Sequence, residues 1–290
     1  MGKVAFIINP VSGTQSKEKI PTQVSTILNK TQFEPQFFYT ERAGHATELA
    51  AQLAAEGYEY VVAVGGDGTV NEVGKGLIHT DTAMGIIPCG SGNGLARHLG
   101  IPVNTKKAVE YLKNAHEVEI DYCKANDRIF FCTCGTGFDA QISYEFALAD
   151  GRGIRTYIKK IVAGLLNYKP QTYCLKNKEI SFEQEAFLIT FANASQYGNN
   201  AYIAPHADLQ DGLMDIAILS HFPLVAIPGL AIRLFTKQID KSSYMTTLQV
   251  EEITLQREKG GAFHFDGEAG NEPETVNIKV IQKGLKILVN

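Results

Sequence analysis

Three glycine-rich turns and a few carboxylates carry the chemistry available to this sequence. In YEYVVAVGGDGTVNEV, residues 58–73, an apolar run stops on Gly65, Gly66, Asp67, Gly68 and Thr69, and a helix begins near Thr69. Glycines, lacking Cβ atoms, let backbone N–H groups converge on anionic oxygens, and a helix start adds the positive end of its dipole. Such a turn suits phosphate and leaves Asp67 to hold a cation or its water shell; the plainer reading is a tight turn capped by Asp67 or Thr69. CGSGNGLAR, residues 89–97, repeats the logic with Gly90 and Gly92 in the turn and with Ser91 and Asn93 as side-chain donors to phosphate or ribose. NPVSG, residues 9–13, follows the first apolar run, so Asn9, Ser12 and Gly13 can aim donors at a nucleotide around Pro10, although Asn-Pro and Ser-Gly are also ordinary turn pairs.

Further carboxylates lie in the second half of the chain. Asp208 and Asp211, in the segment His206–Leu213, place oxygen ligands at a spacing that suits a hard cation such as Mg²⁺ or Ca²⁺, with a polar turn as the alternative. Asp215 is expected to point out of the strand that follows. Phe265-Asp266-Gly267-Glu268 ends another apolar run and precedes the expected loop AGNEPETV; a carboxylate at such a turn can take the proton of a hydroxyl attacking phosphorus. By itself Asp-Gly-Glu is a common β-turn shaped by Asp266. The glycine-rich segment Cys134–Asp139 offers Asp139 to an acceptor hydroxyl or amine, or is a bulge beside a core Phe.

NPVSG at 9–13, GGDGTVNEV at 65–73, PCGSGNGLAR at 88–97 and FDGE at 265–268 occur in the order found in the diacylglycerol kinase catalytic-domain family, which this chain resembles over nearly its whole length. That family includes bacterial lipid kinases and sphingosine kinases. The resemblance implies an ATP-dependent lipid kinase that moves the γ-phosphoryl group to a lipid hydroxyl, diacylglycerol being the acceptor expected first. It implies nucleotide contacts by Asn9, Pro10, Ser12, Gly13, Thr40, Gly65, Gly66, Asp67, Gly68, Thr69, Asn71, Gly90, Ser91, Gly92 and Asn93, with ATP and Mg²⁺ as cofactors. Glu268 then becomes the catalytic base, Asp67 stands at the catalytic metal, and a structural Mg²⁺ falls to Asp208, Asp211 and the Leu213 carbonyl.

Asn71 and Glu72 are expected to order the loop after Thr69. Many bacterial members carry Asn-Asp where this chain has Asn93-Gly94. Gly94 cannot join a carboxylate network, which then rests on Asp67 and on Asp121 at the end of VEID, unless Asp121 is a surface carboxylate. GSGN resembles the sphingosine kinases, so a sphingoid-base kinase is a second reading. GGDGT is shared with NAD kinases, which gives a third, and a non-catalytic nucleotide or lipid sensor is the fourth; the downstream Asp-Gly-Glu looks like the lipid-kinase branch.

The elements that must position these groups change character near residue 118. Before it, KVAFII (3–8), QFFYT (36–40), YVVAV (60–64) and MGIIPC (84–89) are short β-rich runs separated by helix-period segments at 19–30, 45–57, 69–78 and 105–115. This alternation predicts an α/β domain with a parallel sheet, phosphofructokinase-like or NAD-kinase-like by the resemblance, whose glycine turns share one crevice at the carboxyl ends of the strands. After it, turns at Asn126-Asp127, Asn177-Lys178 and Gly260-Gly261 predict hairpins and a mainly antiparallel β-sandwich, interrupted by helices at 152–168 and 222–238. The expected boundaries are 1–122 for the nucleotide domain, completed by a returning strand at 281–290, and 123–280 for a β-rich acceptor domain.

In 290 residues, 44% hydrophobic content suffices for two cores, and a net charge of −4 argues against nucleic acid as a partner. Five cysteines without paired spacing read as reduced thiols of a cytoplasmic protein. The first apolar run is too short for a signal peptide, Phe6 breaks the myristoylation pattern, and the apolar stretch 222–235 is interrupted by Pro228-Gly229 and Arg233. The expectation is a cytoplasmic protein without a transmembrane segment that meets its lipid substrate at the inner membrane face. Arg152, Arg155, Lys159 and Lys160, among Ile158, Ile161, Val162, Leu165 and Leu166, could rest on an anionic bilayer, although a solvated helix face is the plainer reading. A homodimer is left open.

Overall fold

The computed structural model describes residues 2–13, 17–28, 33–147, 164 and 168–290. The basic-apolar cluster from Arg152 to Leu166 lies outside the described residues. The chain divides into two compact units: unit 1 takes Met1–Tyr122, Gly198–Asn200 and Gln282–Asn290, and unit 2 takes Cys123–Tyr197 and Ala201–Ile281.

In unit 1 the strands β1 (Gly2–Ile8), β2 (Phe33–Tyr39), β3 (Tyr60–Gly65) and β4 (Ala83–Pro88) alternate with the helices α1 (Ile20–Ile27), α2 (His45–Ala55) and α3 (Asp67–Leu77). Helices α4 (Gly94–His98) and α5 (Thr105–Leu112) follow β4. The four strands run parallel in the order β2-β1-β3-β4, and Ile287 of the last strand adds in parallel beside Met84. Val4–Ile8 and Val61–Gly65 are buried without alternation, the pattern of a parallel strand sheathed by helices. Ala46, Ala50 and Leu53 of α2 and Val70, Val73 and Leu77 of α3 recur at helical spacing and form the buried side of each helix. Because every strand is parallel, each turn that follows a strand leaves the sheet at the same carboxyl edge. Gly66, not Asp67 or Thr69, is the N-cap of α3.

Strand β5 (His116–Ala125) runs from unit 1 into unit 2, where its end pairs with β6 (Arg128–Phe130) in a hairpin; β7 (Thr133–Gly137), α6 (Phe138–Ala147), β8 (Gln171–Lys176), β9 (Ser181–Ala186), β10 (Leu188–Ala192) and β11 (Met214–Leu219) follow. A helix at Ile227–Phe235 precedes β12 (Met245–Val250), β13 (Glu252–Arg257), β14 (Gly261–Phe265), β15 (Glu268–Glu272) and β16 (Thr275–Val289), which passes into unit 1 at Gln282. One antiparallel sheet has the order β12-β11-β10-β7-β14-β15, and β16, β13, β8 and β9 pair in sequence in the other. Phe191, Ile216 and Phe263 of the first sheet share a core with Tyr173, Leu255 and Ile278 of the second, which makes the unit a β-sandwich. On the opposite face of the first sheet, Leu188, Ala217 and Leu219 pack with Phe138 and Ile142 of α6, and with Leu230 and Leu234 at its margin.

Two turns differ from expectation. Gly260-Gly261 does not close a hairpin: β13 pairs with β16 and β8, whereas β14 pairs with β7 and β15. The chain changes sheets there, and Arg257 holds the crossing by donating to the carbonyls of Gly261 at 2.9 Å and Glu272 at 2.8 Å and to Thr136 Oγ1 at 2.8 Å. The tight hairpin is instead at Asp266-Gly267, where φ values of 49° and 85° and the pairing of Phe265 with Glu268 describe a two-residue primed turn. Residues 268–272 are therefore strand rather than loop. Among the described residues no helix is long and apolar enough to cross a membrane.

Candidate active site

The three glycine turns of unit 1 touch one another. Asn9 N donates to the Val64 carbonyl at 3.1 Å and Asn9 Nδ2 to Thr69 Oγ1 at 3.2 Å, which ties the first turn to the second. Asp67 ties the second to the third: its Oδ2 accepts from Asn93 N at 2.9 Å and its Oδ1 from Gly94 N at 2.7 Å. Gly13, at φ 66°, lies so close to β4 that a Cβ there would sit 1.8 Å from the Cys89 carbonyl oxygen. Gly90 faces Gly66 in the same way, a Cβ on it falling 2.7 Å from Gly66 Cα. Since Gly66 has no side chain to cap α3, none of its own atoms competes with an anion for the first-turn N–H groups. Burial pushes the Cys89 thiol up, so it stands under Gly13 as a neutral group.

Several roles shift on this geometry. The Asn93 side chain is turned onto its own loop, with Oδ1 accepting from Gly90 N at 3.0 Å and Nδ2 donating to the Gly90 carbonyl at 2.8 Å, so it also shapes the turn. Glu72 does not order the segment after Thr69, which is helical; its two oxygens accept from Gly44 N at 2.9 Å and Ala46 N at 3.1 Å and cap α2. Asn71 is buried in α3. Ser91 is exposed, and Thr40, one residue beyond β2, donates its N–H to Ile8 at 3.0 Å. Asp121 is neither a surface carboxylate nor at a strand end: it is buried within β5 and accepts from Lys283 N at 2.7 Å.

Sequence reasoning passed over two parts of this crevice. Lys17 is buried at 7% exposure with its ammonium on the Ser12 carbonyl, a positive charge set behind the first turn. Gly198–Asn200 brace the third turn, with Asn199 N donating to the Gly92 carbonyl at 3.0 Å and Arg97 reaching both Gly92 O and Asn200 Oδ1. A segment so distant in sequence leaves no local signal there beyond Gly-Asn-Asn, three residues that tolerate the positive φ they adopt.

In unit 2 the Asp-Gly-Glu turn is fixed by Asp266. Its Oδ2 accepts from Phe131 N at 2.9 Å, and its Oδ1 accepts from Cys132 N at 2.8 Å and Thr133 N at 3.0 Å. Its own N–H donates to the Thr133 carbonyl at 2.8 Å. Glu268 follows at the first position of β15 and is exposed.

A second carboxylate of unit 2 is the focus of a polar cluster. Asp139 Oδ2 accepts from Tyr197 OH at 2.9 Å and lies 3.1 Å from His264 Nε2, while Oδ1 accepts from Ala140 N at 2.8 Å. His264 is 3% exposed. It sits between core residues Phe263 and Phe265 and so points to the opposite face of β14, a strand alternation that could have flagged it in FHF. The Asp208–Leu213 turn keeps both carboxylates exposed; each folds one oxygen onto the backbone, Asp208 Oδ1 to Gln210 N at 3.0 Å and Asp211 Oδ1 to Leu213 N at 2.9 Å. Two hard oxygen donors in one turn fit a largely hydrated Mg²⁺. Asp215 is buried, not outward, and takes Gln249 Nε2 at 3.3 Å; burial pushes its carboxyl above the usual range.

Comparison with known proteins agrees along the chain. Residues 3–125 match the model of the diacylglycerol kinase catalytic domain, and residues 133–289 match that of the YegS C-terminal NAD kinase beta sandwich-like domain. A diacylglycerol kinase of Bacillus subtilis (strain 168) is 27% identical over 275 residues, covering 93% of this chain and 91% of the relative. A diacylglycerol kinase of Staphylococcus aureus (strain bovine RF122 / ET3-1) is 30% identical, covering 93% and 87%. The crystal structure of a diacylglycerol kinase from Bacillus anthracis str. Sterne shares the fold with a TM-score of 0.77 at 21% identity, covering 99% of this chain and 97% of that one.

Proposed function

This chain belongs to the diacylglycerol kinase catalytic-domain family and is a lipid kinase, and from that premise we propose that it passes the γ-phosphoryl group of ATP to the free hydroxyl of diacylglycerol. The observation that supports the reading best is the meeting of three strand-end glycine turns around the Asp67 carboxylate. Turn N–H groups and the start of α3 would hold the phosphates, with Lys17 adding charge behind them. Mg²⁺ bound with the nucleotide would neutralise phosphate charge, its water shell oriented by Asp67. Glu268 would take the acceptor proton, with Asp266 fixing its turn, and Asp139 would receive the polar end of the lipid. A second Mg²⁺ would be held at Asp208, Asp211 and the Leu213 carbonyl and would stiffen the entry to β11.

In this reading residues 1–122 with 281–290 form the nucleotide domain and 123–280 the acceptor domain, working at the cytoplasmic face of a membrane. The deciding experiment is ADP release across diacylglycerol, monoacylglycerol, ceramide, sphingoid bases, undecaprenol and NAD. Diacylglycerol should give the highest kcat/KM and NAD no turnover. A preference for sphingoid bases would reassign the acceptor, and ADP release with none of the lipids would defeat the catalytic reading.

A further inference from the structure

The stretch from Leu224 to Phe235, a 3₁₀ turn running into the helix Ile227–Phe235, has no buried residue, although it is among the most apolar in the chain. Leu230 and Leu234 rest at the margin of the core cluster that also holds Leu188 and Leu219. The other side is equally apolar: Leu224 is 53% exposed, Val225 84%, Ile232 65% and Phe235 55%, with exposed Pro228 and Ala231 between them. On a helical projection these six fall in one stripe opposite Leu230 and Leu234. A helix that is apolar all round belongs inside a protein or against lipid. No polar face is available here to meet water.

The charges carried by the same segment are of one sign. Residues 221–239 contain Arg233 and Lys237 and no carboxylate, in a chain whose net charge is −4. On the flank away from the stripe, Arg233 borders a hollow of about 200 Å³ together with Gly229, Leu230, Ser242, Ser243 and Tyr244. The Arg233 guanidinium donates to the Gln238 carbonyl at a long 3.4 Å and forms no ion pair among the described residues. Its donors suit a phosphate oxygen. Lys237, exposed just beyond the helix, stands over the Tyr202 ring at 4.6 Å, an aromatic seat for its ammonium.

We propose that the stripe Leu224–Phe235 is the membrane-docking element of this protein, its apolar side chains entering an anionic bilayer while Lys237 at the helix end, and Arg233 reaching round from the flank, engage lipid phosphates. The inference rests on the lipid-kinase reading for its partner, since an acceptor with two acyl chains resides in a bilayer. Apolar insertion and phosphate contact are additive signals, the combination that makes reversible surface binding firm.

The test is co-sedimentation of the intact protein with phosphatidylcholine vesicles, with and without phosphatidylglycerol, paired with turnover of dioctanoylglycerol dispersed in detergent. Wild type should bind the anionic vesicles and bind neutral ones more weakly. The triple variant Val225→Ser, Ile232→Ser, Phe235→Ser should lose roughly tenfold or more in partitioning while turning over the dispersed substrate as wild type does. Arg233→Gln with Lys237→Gln, a change that spares the stripe, should abolish the preference for anionic vesicles and its salt sensitivity. Equal partitioning of the triple variant and wild type would overturn the proposal, as would a wild type that ignores vesicles. A triple variant that turns a dimer into a monomer with vesicle binding unchanged would assign the stripe to a second copy of the chain. Loss of turnover on every lipid with vesicle binding intact would instead strike the kinase reading and leave the docking surface standing.

Discussion

Glu268 and Asp215 illustrate opposite uses of a carboxylate. Glu268 is exposed at the start of β15, on a turn whose geometry is maintained by its neighbour Asp266. Glu268→Gln preserves shape and removes proton affinity, so single-turnover phosphorylation should slow by roughly 10²–10⁴-fold with ATP affinity unchanged. Wild-type turnover would make Glu268 structural; collapse of ATP binding would move it to the nucleotide site. Asp215 is buried with a raised carboxyl, so its neutral form is the one that the fold favours. Stability from this group is therefore present below the unfolded pKa of about 3.9 and is lost as pH rises through the higher folded value. Asp215→Asn keeps an acceptor for Gln249 and should therefore raise Tm at pH near 7, the gain vanishing at pH near 3. A gain that is the same at both pH values would disprove the linkage.

At the level of elements, the spacing of apolar residues carried most of the information. Strand runs such as YVVAV and helix periods such as Ala46, Ala50 and Leu53 are local, and each formed the element that its pattern requires. The order of turns after parallel strands then brings the glycine segments together at one edge. Pairing partners are not local, which is why Gly260-Gly261 reads as a hairpin yet joins two sheets, and why the buried state of Asp121 depends on Lys283, 162 residues away. The same reason hides the environment of Asp139: Tyr197 and His264 come from remote segments. The contact between turns can be probed at Gly13. Gly13→Ala places a methyl on the Cys89 carbonyl at a φ that disfavours it, so the first turn must move. ADP binding by calorimetry should weaken by roughly tenfold or more, with about 1–3 kcal/mol of stability lost. Unchanged ADP affinity would remove the first turn from the nucleotide site.

For the molecule as a whole, bound ions act on stability by mass action. If the Asp208–Leu213 turn holds Mg²⁺, Tm of the wild type should rise with Mg²⁺ concentration and fall in chelator. Asp211→Ala should flatten that dependence while lowering Tm only slightly in chelator; a parallel offset in both buffers would describe an ordinary turn. Unit 1 is also discontinuous along the chain, since Gly198–Asn200 brace its third turn and Gln282–Asn290 extend its sheet beside β4. On a ribosome these pieces are synthesised after the first 122 residues, and the last of them after all of unit 2. The emerging amino-terminal half therefore waits with β4 unpaired on one side, an apolar edge open to chaperones and to other nascent chains. Unit 1 is therefore completed only after unit 2 has been synthesised.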